Sequence, residues 1–542
     1  MWWKNLIFIL LCLAGGAGVT RQLLTRPAVP HPAAQHPVPE TTAELQEVVD
    51  RLDAAFAHSW REAGLEPAPQ ADSLLVARRL SLALTGTIPS LQEIRGLETV
   101  PRAETTQWWL SHLFGDQRYS DYLAERFARI LVGVENGPFL VYRRRRLANW
   151  LGDVFHANQP YDRMVRDLIA SEGVWTTHPE VNFITVTIDQ NNDKEGPDER
   201  KLAARVTRAF LGVRIDCVQC HDDKFGDRWK QRDFHQLAAF FSGAEMSLTG
   251  VRDSDKAYHY RYLRQPEEEE VPAVVPFEPE LLPEEGTRRQ RLAEWVTHPH
   301  NKAFARTTVN RFWALLFNQP LVEPIDDIPL EGPYPPGLDL LAEDFIRHDF
   351  DLQRLIRVIA ASRPFQLASR ASPSEPPLTP AHYEHFAAFP LSRLRPEQVA
   401  GSVIQSASLQ TIDAESHILF RFARASQQNE FIQRYGDIGE DEFAARGGTI
   451  PQRLLLMNGR LVEERTKDDL VMNAAPRIAK VAPTDEVAVE TAYLSVLSRP
   501  PTPAEQQHFI QQLEGTRGKA RAQAMQDLYW SLVNATEFSW NH

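Results

Sequence analysis

Two of the three cysteines in this chain lie in a short motif that ends in a histidine. Cys217, Cys220 and His221 form a Cys-x-x-Cys-His sequence. Two thiols at this spacing match the two vinyl groups of a haem, and a histidine directly after the second thiol is placed to bind the iron. The motif therefore predicts covalent attachment of haem c, with these three side chains as the cofactor-binding residues.

The same side chains fit three other interpretations. A Cys-x-x-Cys pair forms the disulfide of many redox proteins, although there it opens a helix in a thioredoxin-like βαβ pattern that this sequence does not show. A zinc or iron site would combine the motif with a neighbouring carboxylate, and we predict His221 and Asp223 as its metal ligands. The remaining alternative is a structural loop without a ligand. The other carboxylates near the motif are Asp216, Asp222 and Asp227.

A haem iron either binds a sixth ligand or keeps that position open. The candidates nearest in sequence are Met164, Met246, His178 and His235. The two methionines are typical of core positions. His235 flanks the apolar stripe of its helix, which predicts an ordinary surface histidine.

The N-terminal residues indicate export. Residues 6–19 form an uncharged, largely apolar run after a single lysine, as in a signal peptide. The run is shorter than the roughly 20 apolar residues of a membrane-spanning helix, although Trp2 and Trp3 could extend it into an uncleaved anchor. We expect a signal peptide or N-terminal anchor over residues 1–19 and a Pro-rich tether over residues 20–40. The exported chain would be periplasmic, membrane-anchored or on the cell surface, where cysteines meet oxidising conditions.

Two predicted helices must position the motif. Asp198 is a candidate cap for a helix with a stripe of apolar residues, and Gly212 is placed to end it. A second apolar stripe over residues 234–241 follows the motif, with Asp233 as its candidate cap. The motif is therefore predicted to lie on a loop between these helices. In contrast, the β-branched residues of segment 181–188 predict an extended strand.

The whole chain is predicted to be mainly α, with two helical modules and minor β segments. The first module covers residues 41–252. Residues 253–287 contain prolines and a run of glutamates, which indicate a connector with a short hairpin. The second module covers residues 288–542. Within it, Asn310 and Arg311 flank an apolar stripe and are predicted to join a hydrogen-bond network between the modules, with a polar pocket as the alternative.

Charge and motif content narrow the functional classes. The net charge is −13, which gives no electrostatic reason to expect a nucleic-acid partner. The one basic run, residues 143–146, is predicted to be a solvated helix face, with a phosphate or sulfate site as the alternative. No Gly-x-Ser-x-Gly sequence or Gly-rich phosphate loop is present, and no carboxylate pair is marked out as acid and base. The sequence therefore predicts no enzyme class.

Several blocks of the chain, in order, resemble a known family. The segment that contains the motif and the helix after it reads AFLGVRIDCVQCHDDKF…FHQLAAFF, and it is similar to a conserved module of the planctomycete cytochrome-like exported proteins, which pair the domains of unknown function DUF1549 and DUF1553. The other similar blocks are residues 78–90, 148–173, 292–328, 354–366, 449–464, 492–505 and 527–538.

The resemblance implies a cytochrome-like protein whose molecular activity is not established. In that family the motif usually continues His-Asp-His-Pro-Phe, whereas this chain has Asp223 at the position of the second histidine. If that histidine binds a metal in relatives, Asp223 would direct the site towards a harder metal or weaken it.

These observations favour an exported c-type-haem-like protein with a redox or electron-transfer role and an unknown redox partner. The alternative is a non-haem surface protein that binds or processes polysaccharide. In that alternative the two cysteines form a disulfide or a metal site.

Overall fold

The computed structural model describes most of the chain from residue 43 onward. The described residues are 43–133, 142–188, 196–223, 228–247, 249–262, 265–371, 376–413, 416, 428, 430–432, 434–435, 449–470 and 472–542. The predicted export signal and tether lie outside them. Within the described part, no helix combines the length and apolar character needed to cross a membrane.

The first half of the chain folds into short and medium helices. Their starts follow the capping chemistry of the sequence: for example, the Asp72 side chain accepts a hydrogen bond from the Leu74 amide at 2.9 Å. The helices are α1 Ala43–Glu62, α2 Ser73–Thr85, α3 Leu91–Leu97, α4 Thr105–Phe114, α5 Gln117–Val132, α6 Arg144–His156, α7 Tyr161–Ala170, α8 Asn182–Thr185, α9 Glu199–Val206 and α10 Gln231–Ala238.

The second half is also helical. Asp351 caps one of these helices, because its carboxylate accepts a hydrogen bond from the Arg354 amide at 3.0 Å. The helices are α11 Arg288–Thr297, α12 Lys302–Phe317, α13 Leu338–Arg347, α14 Leu352–Ala361, α15 Arg363–Gln366, α16 Pro380–Glu384, α17 Pro396–Ser406, α18 Ile450–Asn458, α19 Arg460–Thr466, α20 Ala474–Val481, α21 Asp485–Leu497, α22 Pro503–Leu513 and α23 Gly518–Val533.

The strands of the described residues form three antiparallel pairs of two strands each. A hairpin was predicted in the connector, and one is present there, with His259 opposite Glu270 and Tyr260 opposite Glu269. The small share of strand confirms the prediction of a mainly α fold. The strands are β1 Ala244–Ser247, β2 Gly250–Asp253, β3 His259–Tyr260, β4 Glu269–Glu270, β5 Ser392–Arg393 and β6 Trp540–Asn541.

The prediction of an extended segment over residues 181–188 is wrong. This stretch forms a 3-10 turn, Pro179–Val181, followed directly by α8. The Asn182 amide group donates hydrogen bonds to the backbone carbonyls of Trp175 and Pro179, both at 2.8 Å. Most of the β-branched residues of this segment are buried in these helical turns, so packing overrides their strand propensity.

Two hydrophobic clusters form the core of the described residues. The larger contains residues from α1 to Phe389 and therefore includes side chains from both sides of the 253–287 segment. The smaller joins residues 394–538 to Leu82 and Ile88. Helix α2 contributes to both clusters, which makes it a central element of the fold. The division into two modules, residues 41–252 and 288–542, stays a prediction.

Candidate functional site

The loop that carries the cysteine motif begins at a glycine turn. Helix α9 starts at Asp198 as predicted, because this carboxylate accepts hydrogen bonds from the Arg200 and Lys201 amides. A π-helical turn, Thr207–Leu211, extends the helix, and Gly212 ends it with a φ of +59°. A Cβ atom at this position would lie 2.6 Å from the Thr307 hydroxyl oxygen. Glycine is therefore required both for the left-handed turn and for the close approach of α12.

The two cysteines project from one short turn. Residues Asp216–Gln219 form a 3-10 helix, and Cys220 follows it directly. Both Cys217 and Cys220 are exposed free thiols. Val218 lies between them and is only 3% exposed, so it anchors the turn in the core while both thiols face outward. The structure thus presents an accessible pair of thiols.

His221 extends the same exposed surface. Its Nδ1 atom lies 2.8 Å from the backbone carbonyl oxygen of Asp222. A carbonyl only accepts, so in the neutral ring Nδ1 carries the proton and Nε2 carries the lone pair. Histidines that bind metals usually have this arrangement, in which the second ring nitrogen donates to a carbonyl.

Helix α10 holds the motif from the other side. The Gln231 side-chain amide donates to the Gln219 carbonyl at 3.1 Å. The Gln231 backbone amide donates to the Asp222 carboxylate at 2.8 Å. The predicted cap Asp233 lies inside the first turn and accepts a hydrogen bond from the Lys230 amide at 2.8 Å. These bonds fix the backbone on both sides of Cys220, as the prediction of a loop between two helices requires.

The prediction of a surface position for His235 is wrong, because the exposure of this residue is 0%. Its Nε2 atom lies 3.1 Å from the Gln219 carbonyl oxygen, and its Nδ1 atom lies 2.9 Å from the Tyr258 hydroxyl. Burial lowers the pKa of His235 to about 4, although the Gln219 carbonyl opposes this shift. The ring is therefore neutral at pH 7.

Tyrosines from the connector bury this histidine. Tyr260 stacks on the imidazole ring with the centroids 3.4 Å apart, and Tyr262 approaches it edge-on at 5.7 Å. The three tyrosines at 258, 260 and 262 alternate along the chain, which is the period of a strand with one buried face. In the sequence, this alternation is the signal for an extended segment with one buried face, which in the structure packs against α10.

Ion pairs tie the start of the motif to the second half of the chain. Arg208 donates two hydrogen bonds to Asp216, at 3.0 and 2.7 Å. Asp326 accepts hydrogen bonds from Arg208 at 3.3 Å and from Arg214 at 2.8 Å. The Asp216 carboxylate is therefore already bound by Arg208.

The predicted metal ligands lie at the end of the described part of the loop. The Asp223 amide donates to the Trp229 carbonyl at 3.0 Å, which closes the loop after His221. In the described part of the chain, no three His, Cys, Asp or Glu side chains converge closely enough to hold a metal ion. Asp227 lies in segment 224–227, outside that part. A metal site at His221 and Asp223 stays a prediction.

The four candidates for a sixth ligand differ in accessibility. Met164 has 0% exposure and belongs to the core, as predicted. Both nitrogens of His235 are engaged in hydrogen bonds. His178 is exposed and pairs with Glu180 at 3.3 Å, and Met246 is half-buried on β1. The hydrogen bonds of His235 therefore leave neither of its ring nitrogens free for an iron, and Met164 is shielded from solvent.

Two family models match consecutive parts of the chain. One, described as a protein of unknown function (DUF1549), matches residues 51–246, and the other, described as a protein of unknown function (DUF1553), matches residues 288–513. The chain belongs to the family that pairs DUF1549 with DUF1553. The cysteine motif lies in the DUF1549 segment. No curated protein and no solved structure matches the chain.

Polar side chains of the DUF1553 segment serve the structure. The Asn310 side chain accepts a hydrogen bond from the Leu321 amide at 2.8 Å and donates to the Val322 carbonyl at 2.8 Å. Arg311 donates to the carbonyl of Ala209, in the DUF1549 segment. The Arg311 bond confirms the predicted link between the two parts of the chain, whereas these Asn310 bonds lie within the DUF1553 segment.

The basic run begins helix α6. Arg145 and Arg146 are exposed, as expected for a solvated face. Arg144 forms two hydrogen bonds with Glu125, at 3.0 and 2.9 Å. The carboxylate therefore offsets part of the positive charge that would attract a phosphate or sulfate group.

Proposed function

We propose that this protein is an exported carrier of covalently bound haem c with a redox or electron-transfer role. Cys217 and Cys220 would form the two thioether bonds, and His221 would be the axial ligand of the iron. The observation that carries the proposal is the shared surface of these groups. Two free, exposed thiols project from one turn, and an exposed histidine with its Nε2 lone pair available follows directly.

The residues present fit this cofactor. Thioether formation needs free thiols that a haem can reach, and both cysteines meet that condition. The hydrogen bond from His221 Nδ1 to the Asp222 carbonyl favours the tautomer that binds iron through Nε2. When bound, the haem would supply one-electron chemistry at its iron.

The surrounding contacts support the proposal by fixing the motif. Gln231 bonds to the backbone at Gln219 and to the side chain of Asp222, on either side of Cys220. Arg208 holds Asp216, immediately before Cys217. A backbone held at these points keeps the thiols and His221 in a constant relation, which limits the reorganisation of the site during electron transfer. Export of the chain, predicted from residues 1–19, is part of the proposal.

The proposal can be tested with cysteine variants expressed in a host with c-type haem maturation. Cys217→Ala and Cys220→Ala should each retain haem through one thioether bond, and the double variant should release all haem on denaturation. His221→Ala should keep the haem covalently bound but change its spin state, because only the axial bond is lost. If residues 1–19 are retained as an anchor, Cys12→Ala is the matched control, since it removes the remaining cysteine without touching the motif. Covalent haem in the double variant would refute the assignment.

A further inference from the structure

The contacts of His235 fix its tautomer. The Gln219 carbonyl can only accept, so Nε2 donates the hydrogen bond across their 3.1 Å separation. In the neutral ring, Nδ1 is then an acceptor, and the Tyr258 hydroxyl donates to it at 2.9 Å. The phenol proton of Tyr258 therefore points at Nδ1, the ring nitrogen that carries no proton.

This pair is shielded from water. His235 has 0% exposure and Tyr258 has 8%. Burial raises the pKa of Tyr258 well above its ordinary value, and the nearby Glu199 acts in the same direction. The phenol therefore keeps its proton over the physiological pH range. If the phenol loses an electron, its proton becomes acidic. Nδ1 of His235 is then a base within hydrogen-bond distance, and burial keeps water from acting as the acceptor instead.

Aromatic rings connect the pair to the protein surface. Tyr260 stacks on His235 with the ring centroids 3.4 Å apart, and Tyr262 lies 5.1 Å from Tyr260. Both outer tyrosines are half-buried, so each keeps some exposed surface, although the Tyr262 hydroxyl is buried. On the opposite side, Nε2 of His235 bonds to Gln219, which lies between the two cysteines. The chain of contacts thus runs from the surface to the cysteine motif.

We propose that Tyr258 and His235 form a proton-coupled redox pair. A one-electron oxidant removes an electron from the Tyr258 phenol, its O–H bond breaks, and the proton moves to Nδ1 of His235. The products are a neutral tyrosyl radical, an imidazolium ion and the oxidant reduced by one electron. Returning one electron to Tyr258 and the proton from Nδ1 restores the starting pair.

The hydrogen bonds around the pair allow the proton to move, although burial disfavours the imidazolium ion. The imidazolium ion would keep both of its hydrogen bonds, to the phenolic oxygen and to the Gln219 carbonyl, so no group is left unpaired after transfer. The inference goes beyond the proposed function, because a soluble oxidant can replace the haem. Its failure and the failure of haem attachment are therefore separate results.

The test uses the full chain and photogenerated tris(bipyridine)ruthenium(III) as the one-electron oxidant. Electron paramagnetic resonance and transient absorbance would follow tyrosyl radicals. The chain has 12 tyrosines, so the Tyr258 signal is defined as the part that Tyr258→Phe removes. Tyr260→Phe is the matched control, because it lies on the same segment but does not bond to a nitrogen of His235. It should retain that signal.

A second variant tests the proton acceptor. His235→Gln keeps a polar side chain but removes the base, and it should slow formation of the Tyr258 radical by about 100-fold, the usual contribution of a positioned base. In D2O the wild-type rate should fall, because the transferred proton is exchangeable. An equal radical yield in Tyr258→Phe and wild type would overturn the proposal. So would an unchanged rate in a His235→Gln variant whose circular dichroism spectrum matches that of the wild type.

Discussion

Acidification should destabilise this protein through His235 before its paired carboxylates titrate. The ring is buried and neutral, with its pKa lowered to about 4 by burial. An unfolded chain would protonate the same histidine near its ordinary value of 6.5. Between these two values the unfolded state binds a proton that the folded state does not bind. The free energy of unfolding must therefore decrease as the pH falls through this window.

The two pKa values set the size of the effect. Each pKa unit of difference corresponds to about 1.4 kcal/mol, so the full separation is worth about 3 kcal/mol. This stability is fully present above pH 6.5 and is lost by about pH 4. A change of this size is a large fraction of the roughly 5–15 kcal/mol that stabilises a typical domain.

The assay is urea unfolding of the wild type and His235→Gln across this pH window, followed by circular dichroism. The variant lacks the titrating ring, so its free energy of unfolding should vary less with pH. The difference in the free energy of unfolding between the wild type and His235→Gln should narrow by about 3 kcal/mol from neutral to acidic pH. His58→Gln is the matched control, because His58 is exposed, and it should keep the wild-type pH dependence. Parallel pH curves for wild type and His235→Gln would refute the burial of a neutral His235.

Three further predictions concern packing and the alternative function. In urea titrations, Arg79→Met should lower the free energy of unfolding by about 2–4 kcal/mol, because it leaves the buried carbonyls of Phe365 and Leu367 without their hydrogen-bond donor. The control is Arg61→Met at an exposed position, which should change the free energy of unfolding by less than about 0.5 kcal/mol. Gly212→Ala should lower the free energy of unfolding by at least about 1 kcal/mol more than Gly515→Ala. Both glycines have a positive φ, but of the two only Gly212 would place an added Cβ atom 2.6 Å from a neighbouring side chain. Equal losses of stability would contradict the close approach of α12. If the alternative function holds, a sulfated polysaccharide should bind at residues 143–146 and dissociate as salt rises, and salt-independent binding, or none, would count against that alternative.

The helices around the motif could be predicted because their signals are local. Asp198 caps α9, and Gly212 ends the helical turn that follows it. Each residue acts on backbone groups close to it in sequence. The mainly α fold followed from the apolar period in the same way. The prediction for segment 181–188 is wrong because core packing, rather than strand pairing, buries most of its β-branched residues.

The surroundings of the motif could not be predicted because they come from distant parts of the sequence. The burial of His235 depends on Tyr258 and Tyr260, which lie beyond the end of its helix. Asp326 is linked to the start of the motif through its hydrogen bonds with Arg208 and Arg214. Helical period places a residue on a face, but it does not show what covers that face.

The most direct test of the proposed function is the intact mass of the denatured wild-type protein after expression with c-type haem maturation. Thioether bonds survive denaturation, so we predict a mass increased by one haem, together with the pyridine haemochrome spectrum of a haem bound through two thioethers. A mass without haem would contradict the proposal. In that case a mass lower by two hydrogens would identify Cys217 and Cys220 as a disulfide, and stoichiometric zinc or iron in the native protein, lost in His221→Ala, would identify a metal site.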